Sequence, residues 1–193
     1  MAVTDVTVVN KAFALIGANT ISTFVGTSTE QIVATELYSM TVEAALVSHR
    51  WRFATGKQTM ARLVAAPLNQ WDAAYQMPTQ PIALLVNGVY ILDNPIDYDR
   101  YEDKIYTNAT TSDVVDIDYI FSPEEATWPP YFTQAVVFDL AAIFAAGIAQ
   151  DAGLSELFGN KATLEYRKAR WSDSSSQTAK NLDGRSLIRK RNS

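Results

Sequence analysis

The side chains that carry most enzyme chemistry are scarce in this sequence. Cysteine is absent and His49 is the single histidine. Without cysteine there are no disulfides, zinc knuckles, iron–sulfur clusters or thiol nucleophiles. A serine triad would have to be built around His49, and no G-x-S-x-G turn presents a nucleophile to it. His49 falls at the end of a predicted helix, where an imidazole interacts favourably with the helix dipole, so it reads as structural. Metal binding would fall to carboxylates, and Asp93, Asp97, Asp99, Glu102 and Asp103 form a dense acidic group. That group lacks the alternating-aspartate loop with a closing glutamate that calcium requires, and it reads as a solvated acidic hairpin. Carboxylate pairs of the kind that cleave glycosides occur on any acidic surface. Gly17, Gly26, Gly147, Gly153 and Gly159 do not have the spacing of a phosphate-binding loop. The residues nominate no catalytic, cofactor-binding or metal-binding set, and no cofactor is expected.

Charge is distributed more tellingly. Residues 1–160 hold 7 Lys/Arg against 18 Asp/Glu, a net of −11, whereas residues 161–193 hold 9 against 3, a net of +6. A basic end on an acidic body implies its own partner. Arg185, Arg189, Lys190 and Arg191 are able to contact phosphates through counterion release. Leu182, Leu187 and Ile188 are interleaved with them and supply apolar anchors that a phosphate backbone does not need. No aromatic follows Trp171 for base stacking. An acidic groove on another protein is therefore the favoured target, with nucleic acid as the alternative.

The chain has 193 residues, 48% of them hydrophobic and 19% charged, enough apolar surface to offset chain entropy in one large domain. The N-terminal stretch carries Asp5 and no basic residue ahead of its apolar run, so a signal peptide is not expected. Thr4 is placed to cap a first helix carrying Val6, Val9, Phe13 and Ile16, with Gly17 at its end. Ser28 and Gln31 form a capping-box pattern ahead of Val33, Leu37, Met40, Ala44 and Val47, a stripe expected to face the core of a second helix ending near His49. From Trp51 to Phe121 short β-branched and aromatic runs alternate with Pro and Asn-Gly. Asn87-Gly88 predicts a tight hairpin between residues 82–86 and 89–92. Residues 104–107 and 114–121 predict further strands, the last with Asp116 and Asp118 on a wet face. The apolar run through residues 133–149 contains Gln134 and Asp139 and is expected to be a buried helix that falls short of a membrane span. Ser155 predicts the cap of a fourth helix bearing Leu157, Phe158, Leu164 and Trp171, with the pattern stopping at Trp171.

The expected architecture is α+β. A helical bundle comprises residues 1–66 and 122–171, interrupted by an antiparallel β-rich insertion at 67–121. It is followed by an extended C-terminal arm at 172–193, so a chain ending at Trp171 is expected to keep its fold. The serine-rich, basic arm cannot build a core alone and would be ordered by a partner.

Several segments in order resemble one family. They are Asn10-Lys11-Ala12 leading to Leu15-Ile16-Gly17 and Ile21-Ser22, then His49-Arg50-Trp51-Arg52-Phe53-Ala54. Trp71 with Ala74-Tyr75-Gln76-Met77-Pro78, then Lys104-Ile105-Tyr106-Thr107, and a Pro-rich approach to an alanine-rich helix complete the series. Together they resemble the tail tubular protein A family, the head-to-tail adaptors of short-tailed bacteriophages, with Arg50 standing where that family often has proline. The resemblance implies a structural, non-enzymatic virion protein forming a dodecameric ring between the capsid portal protein and the tail nozzle protein. Genomic DNA would pass through without sequence-specific binding, and no membrane would be involved. An adaptor of similar kind in another group of short-tailed phages also degrades cell wall, so a tail-associated peptidoglycan hydrolase is an alternative, as is a nucleic-acid-binding module. In the adaptor reading, Leu182, Arg185, Leu187, Ile188, Arg189, Lys190 and Arg191 form the portal-docking arm. Trp51, Arg52, Trp71, Tyr75 and Trp128 are candidate subunit or tail contacts. Asp97, Asp99 and Glu102 would face the DNA channel or a basic tail partner, since acidic walls let DNA slide.

Overall fold

Both N-terminal helices start where their capping residues stand. Helix α1 spans Asp5–Ile16. Thr4 Oγ1 accepts from the Thr7 amide at 3.2 Å while Thr7 Oγ1 accepts from the Thr4 amide at 2.7 Å. Gly17 closes the helix at φ 73°, a left-handed turn that costs glycine nothing. Helix α2 spans Thr29–Val47 and opens on the corresponding reciprocal pair between Ser28 and Gln31. The computed structural model describes residues 3–65, 67 and 70–175, an α+β fold of four helices and two antiparallel sheets.

The strands are β1 (Thr55–Thr59), β2 (Ala73–Gln76), β3 (Ala83–Ile91), β4 (Asn94–Pro95), β5 (Tyr98–Tyr101), β6 (Lys104–Thr107) and β7 (Val115–Phe121). One sheet has the order β1-β7-β3-β4 and the other β2-β6-β5. The first sheet takes its edge from β1, which lies within the Trp51–Phe121 stretch read as strand-forming but upstream of residue 67, where the β-rich insertion was expected to begin. Asn87-Gly88 does not make the predicted hairpin. Strand β3 runs straight through it with a shift of register against β7, and the Asn87 amide uses the bulge to donate to Asp118 Oδ1 at 3.1 Å. The tight turn lies at Leu92-Asp93 instead, both at positive φ (49° and 63°), joining β3 to β4.

Strand β7 is central and covered on both faces. Val115, Ile117 and Tyr119 enter a core between the sheets with Met60, Tyr75, Val89 and Ile105. On its other face Ile120 joins the helical core. Asp118, expected to be wet, is buried there, because Arg50 Nη2 donates to its Oδ2 and Asn87 to its Oδ1. Arg50 thus pins the bundle to the sheet.

Helix α3 (Pro130–Phe144) runs on as a π-helical turn, Ala145–Ala149. Gln150, at φ 52°, reverses the chain, and α4 spans Ala152–Ser175. Asp151 Oδ1, not Ser155, caps α4 by accepting from the Leu154 amide at 3.0 Å. Helix α4 also continues past Trp171 to Ser175, through the first residues of the expected arm. The docking-arm residues Leu182 to Arg191 lie outside the described residues.

Residues 130–149 are long and apolar enough to cross a membrane by length and composition, contrary to the expectation that Gln134 and Asp139 would disqualify them. In the fold this helix is the hub of the bundle: α1, α2 and α4 all pack on it, and Phe132, Val136, Leu140, Ala141 and Phe144 are fully buried. The stripe predicted to bury α2 does so only at its N-terminal end, where Val33 and Leu37 pack against the helical core. Ala34, Tyr38, Thr41, Val42, Ala45 and Leu46 enter the interior, while Met40, Ala44 and Val47 are exposed and Val33 and Leu37 half-buried. Both sides of α2 are apolar, and the four-three spacing runs along its flank, half-buried at Val33 and Leu37 and outward from Met40 on.

Candidate functional site

Three tyrosine–carboxylate pairs form staples between elements of this protein. Tyr131 Oη donates to Asp173 Oδ1 at 3.0 Å, tying α3 to the end of α4. Tyr166 Oη donates to Asp139 at 3.0 Å, joining α4 to the middle of α3, and Tyr38 Oη donates to Glu125 at 3.0 Å. Burial pushes all three phenols up, with the adjacent carboxylates adding to the effect. Burial also raises the Asp139 carboxyl, against the opposing pull of the Tyr166 hydrogen bond.

Asp173 is the hub of the most connected staple. Its two carboxylate oxygens accept from the Arg52 amide at 3.2 and 3.3 Å, and its backbone carbonyl accepts from Arg52 Nε at 3.0 Å. His49 Nε2 is 3.9 Å from Asp173 Oδ2, and its ring stands edge-on to Trp51 with centroids 4.8 Å apart. Desolvation holds the His49 pKa below its usual value, outweighing the opposing pull of Asp173. As His49 is the single histidine, a proton NMR titration is expected to show one imidazole curve with a midpoint below 6.5. Since the folded state binds this proton less readily, stability is full above the unfolded-state pKa and declines as pH falls toward the folded value. Asp173→Asn is expected to lower the midpoint further. A midpoint above 6.5 would mean that the carboxylate dominates.

The candidate contact residues separate by depth. Trp51, Tyr75 and Trp128 are buried in this chain's own cores, which leaves them no surface for a neighbour. Trp51 Nε1 donates to the Ala45 carbonyl at 2.9 Å and Trp128 Nε1 to the Pro123 carbonyl at 3.0 Å. Trp71 is half-buried, and its indole donates to Asp99 Oδ2 at 2.9 Å. Arg52 is exposed but committed to Asp173.

Asp97, Asp99 and Glu102 are spread along the β5–β6 hairpin, Asp97 just before β5, Asp99 within it and Glu102 in its turn at φ 55°. The wider acidic group is spread over separate partners. Asp93 pairs with Lys57 at 2.6 Å, Asp103 accepts from Gln76 at 2.8 Å, and Glu102 lies 3.8 Å from Lys104. Among the described residues no three His, Cys, Asp or Glu side chains are grouped to hold a metal ion. An open groove of about 550 Å³ runs between α1 and α3, lined chiefly by Val3, Leu15, Trp128, Pro130, Val137 and Phe138. Its polar members, Lys11, Thr133 and Gln134, do not pair a nucleophile with a base.

The bundle's outward surface is more distinctive. On α4 the core takes Phe158, Ala162, Ala169 and Asp173, while Leu157, Leu164 and Trp171 stand in solvent at 58%, 51% and 75% exposure. Reading these with Phe158 as one apolar face missed that Ala162, Ala169 and Asp173 define the inner one. Alanine and a buried aspartate leave little hydrophobic signal. No protein-family model matches the chain, and a search of curated proteins finds no match.

Proposed function

We propose that this protein is a structural adaptor of a short-tailed bacteriophage, a subunit of a ring that joins the capsid portal to the tail nozzle and continues the DNA channel. The observation that carries the reading is the outward row on α4, Leu157, Leu164 and Trp171, on a helix whose opposite face already fills the core. A helix with an apolar row on each side is built to be covered twice, and one chain covers it once. The family-like segments also perform framework tasks suited to such a subunit. Asn10 exchanges two hydrogen bonds of 2.8 Å with the backbone of Ile21, and the His49–Ala54 segment joins bundle to sheet through Arg50 and Arg52.

In this reading the acidic body repels DNA phosphates, with Asp97, Asp99 and Glu102 facing the channel or a basic tail partner. The C-terminal arm docks on the portal, with Leu182, Leu187 and Ile188 as anchors and Arg185, Arg189, Lys190 and Arg191 setting register. The ring is dodecameric, as in the family it resembles, and its chemistry is that of assembly, without catalysis or a cofactor.

The test is native mass spectrometry of the protein alone and mixed with the portal protein of the same phage. A stoichiometric ring on the portal is the expected result. A monomer that ignores the portal would overturn the reading and shift weight to peptidoglycan cleavage, measured by zymography, or to salt-dependent DNA retention.

A further inference from the structure

We infer that neighbouring copies of this chain meet head to tail, the outer face of α2 on one copy against the outer face of α4 on the next; the inference rests on the ring reading and names its subunit contact.

The α2 face is a seam. Val33, Leu37, Met40, Ala44 and Val47 follow one another at intervals of four, three, four and three, the spacing by which helices pair side by side; Val33 and Leu37 rest half-buried on the helical core and keep only their outer edges free, while Met40, Ala44 and Val47 are exposed. Met40 at its centre is 60% exposed although the opposite face of the helix is already in the core. On α4, Leu157, Leu164 and Trp171 recur every seven residues, as do Val33, Met40 and Val47 on α2. Each row spans fourteen residues, about 21 Å at the rise of an α-helix, so the two match in length and period.

Charge decides which face meets which. Helix α2 carries Glu30, Glu36 and Glu43 and no Lys or Arg. Glu36 and Glu43 flank Met40 on one side of the seam. Helix α4 exposes Arg167 and Lys168 beside its row, with Lys161 over the Phe138 ring at 4.5 Å, against Glu156 at its N-terminal end and a half-buried Glu165 that pairs with Lys168. Among the described residues, Glu36, Glu43 and Arg167 have no ion-pair partner. Pairing α2 with α2 would set glutamates against glutamates, and pairing α4 with α4 would set cations against cations. Only the mixed pairing opposes unlike charges across an apolar seam. Because the two faces differ, the contact is heterologous, the type that makes a ring when the rotation between copies closes on itself and a filament when it does not.

The experiment uses full-length chains carrying Met40→Glu or Leu164→Glu, both at exposed sites, with circular dichroism confirming the fold. Mass is followed over a concentration series and again with the portal protein. Each variant alone is expected to lose assembly and run as a monomer. An equal mixture should form a dimer of one of each, because one intact α2 face and one intact α4 face remain. With the rows antiparallel and Met40 across from Leu164, Glu36 meets Arg167; Glu36→Lys and Arg167→Glu should therefore each impair assembly, and their combination in one chain should restore it, which decides the matter if a seam variant fails to fold. Variants that assemble like the parent, or a mixture that stays monomeric, would overturn the contact. If those variant rings still form on the portal, the adaptor reading stands without this contact. A parent chain that self-assembles through these faces but ignores the portal would keep the contact and lose the adaptor reading. A parent that stays monomeric in both settings overturns both.

Discussion

A chain ending at Trp171 is expected to melt about 6–12 °C below the full-length protein, and Asp173→Ala nearly as far, whereas a chain ending at Ser175 should melt with the full-length protein. Asp173 is 2% exposed, and its acceptors serve the Arg52 amide, the Tyr131 hydroxyl and, through its backbone carbonyl, Arg52 Nε. Removing the carboxylate strands donors in a place that water reaches poorly, a loss of about 3 kcal/mol. Truncation at Trp171 also removes the last turn of α4. This reverses the expectation that the fold would survive a cut there. Residues beyond Ser175 have a composition that does not build a core, so removing them is expected to leave the melting temperature in place. The cut at Ser175 is therefore the clean way to test the portal-docking arm. Asp173→Asn, which keeps an acceptor but removes the charge, should fall between the parent and Asp173→Ala. Thermal melts followed by circular dichroism check the series, and an Asp173→Ala protein that melts with the parent would refute the staple.

What was legible in the sequence was local. The Thr4 cap, the Ser28–Gln31 capping box and the left-handed Gly17 each depend on residues within a few positions of one another, and the helices begin and end where those residues stand. Strand β6 likewise matches its alternating run. What escaped depends on partners far along the chain. Asp118 reads as wet because its neutralising Arg50 is 68 positions away, and Asp173 reads as part of an arm because Arg52 is 121 positions away. Asn87-Gly88 is equally suited to a tight turn or a bulge, and the demand of β7 for a continuous neighbour selected the bulge. The turn itself fell on Leu92-Asp93, whose leucine carries no turn signal. On α2 periodicity found a true apolar stripe but not which of two stripes faces inward. A helix apolar on both sides gives that ambiguity to any reading from sequence, and here the ambiguity itself marks the candidate assembly surface.

Trp51→Ala is expected to destabilise the protein by about 4 kcal/mol and lower its melting temperature by about 8–16 °C. Trp51 is fully buried beneath the turn that joins bundle to sheet, with ring centroids 5.1 Å from Phe132, 4.8 Å from His49 and 6.2 Å from Phe53. Its indole nitrogen also satisfies the Ala45 carbonyl near the end of α2. Truncation thus leaves a large cavity and strips the Ala45 carbonyl of one of its two side-chain donors, Ser48 Oγ at 2.8 Å being the other, under a segment whose Arg50 and Arg52 must reach Asp118 and Asp173. Such a loss is a large fraction of the roughly 5–15 kcal/mol that holds a domain together. Trp51→Phe keeps much of the ring area and loses the donor, and should cost about 1–2 kcal/mol. Trp171→Ala supplies the contrast: at 75% exposure it should leave the melt unchanged while weakening the assembly proposed for the α4 face. Melting curves and native masses measured on the same variants separate the two roles, because a core residue moves the first and an interface residue the second. A Trp51→Ala protein that melted with the parent but failed to assemble would return Trp51 to the surface contacts among which the sequence placed it.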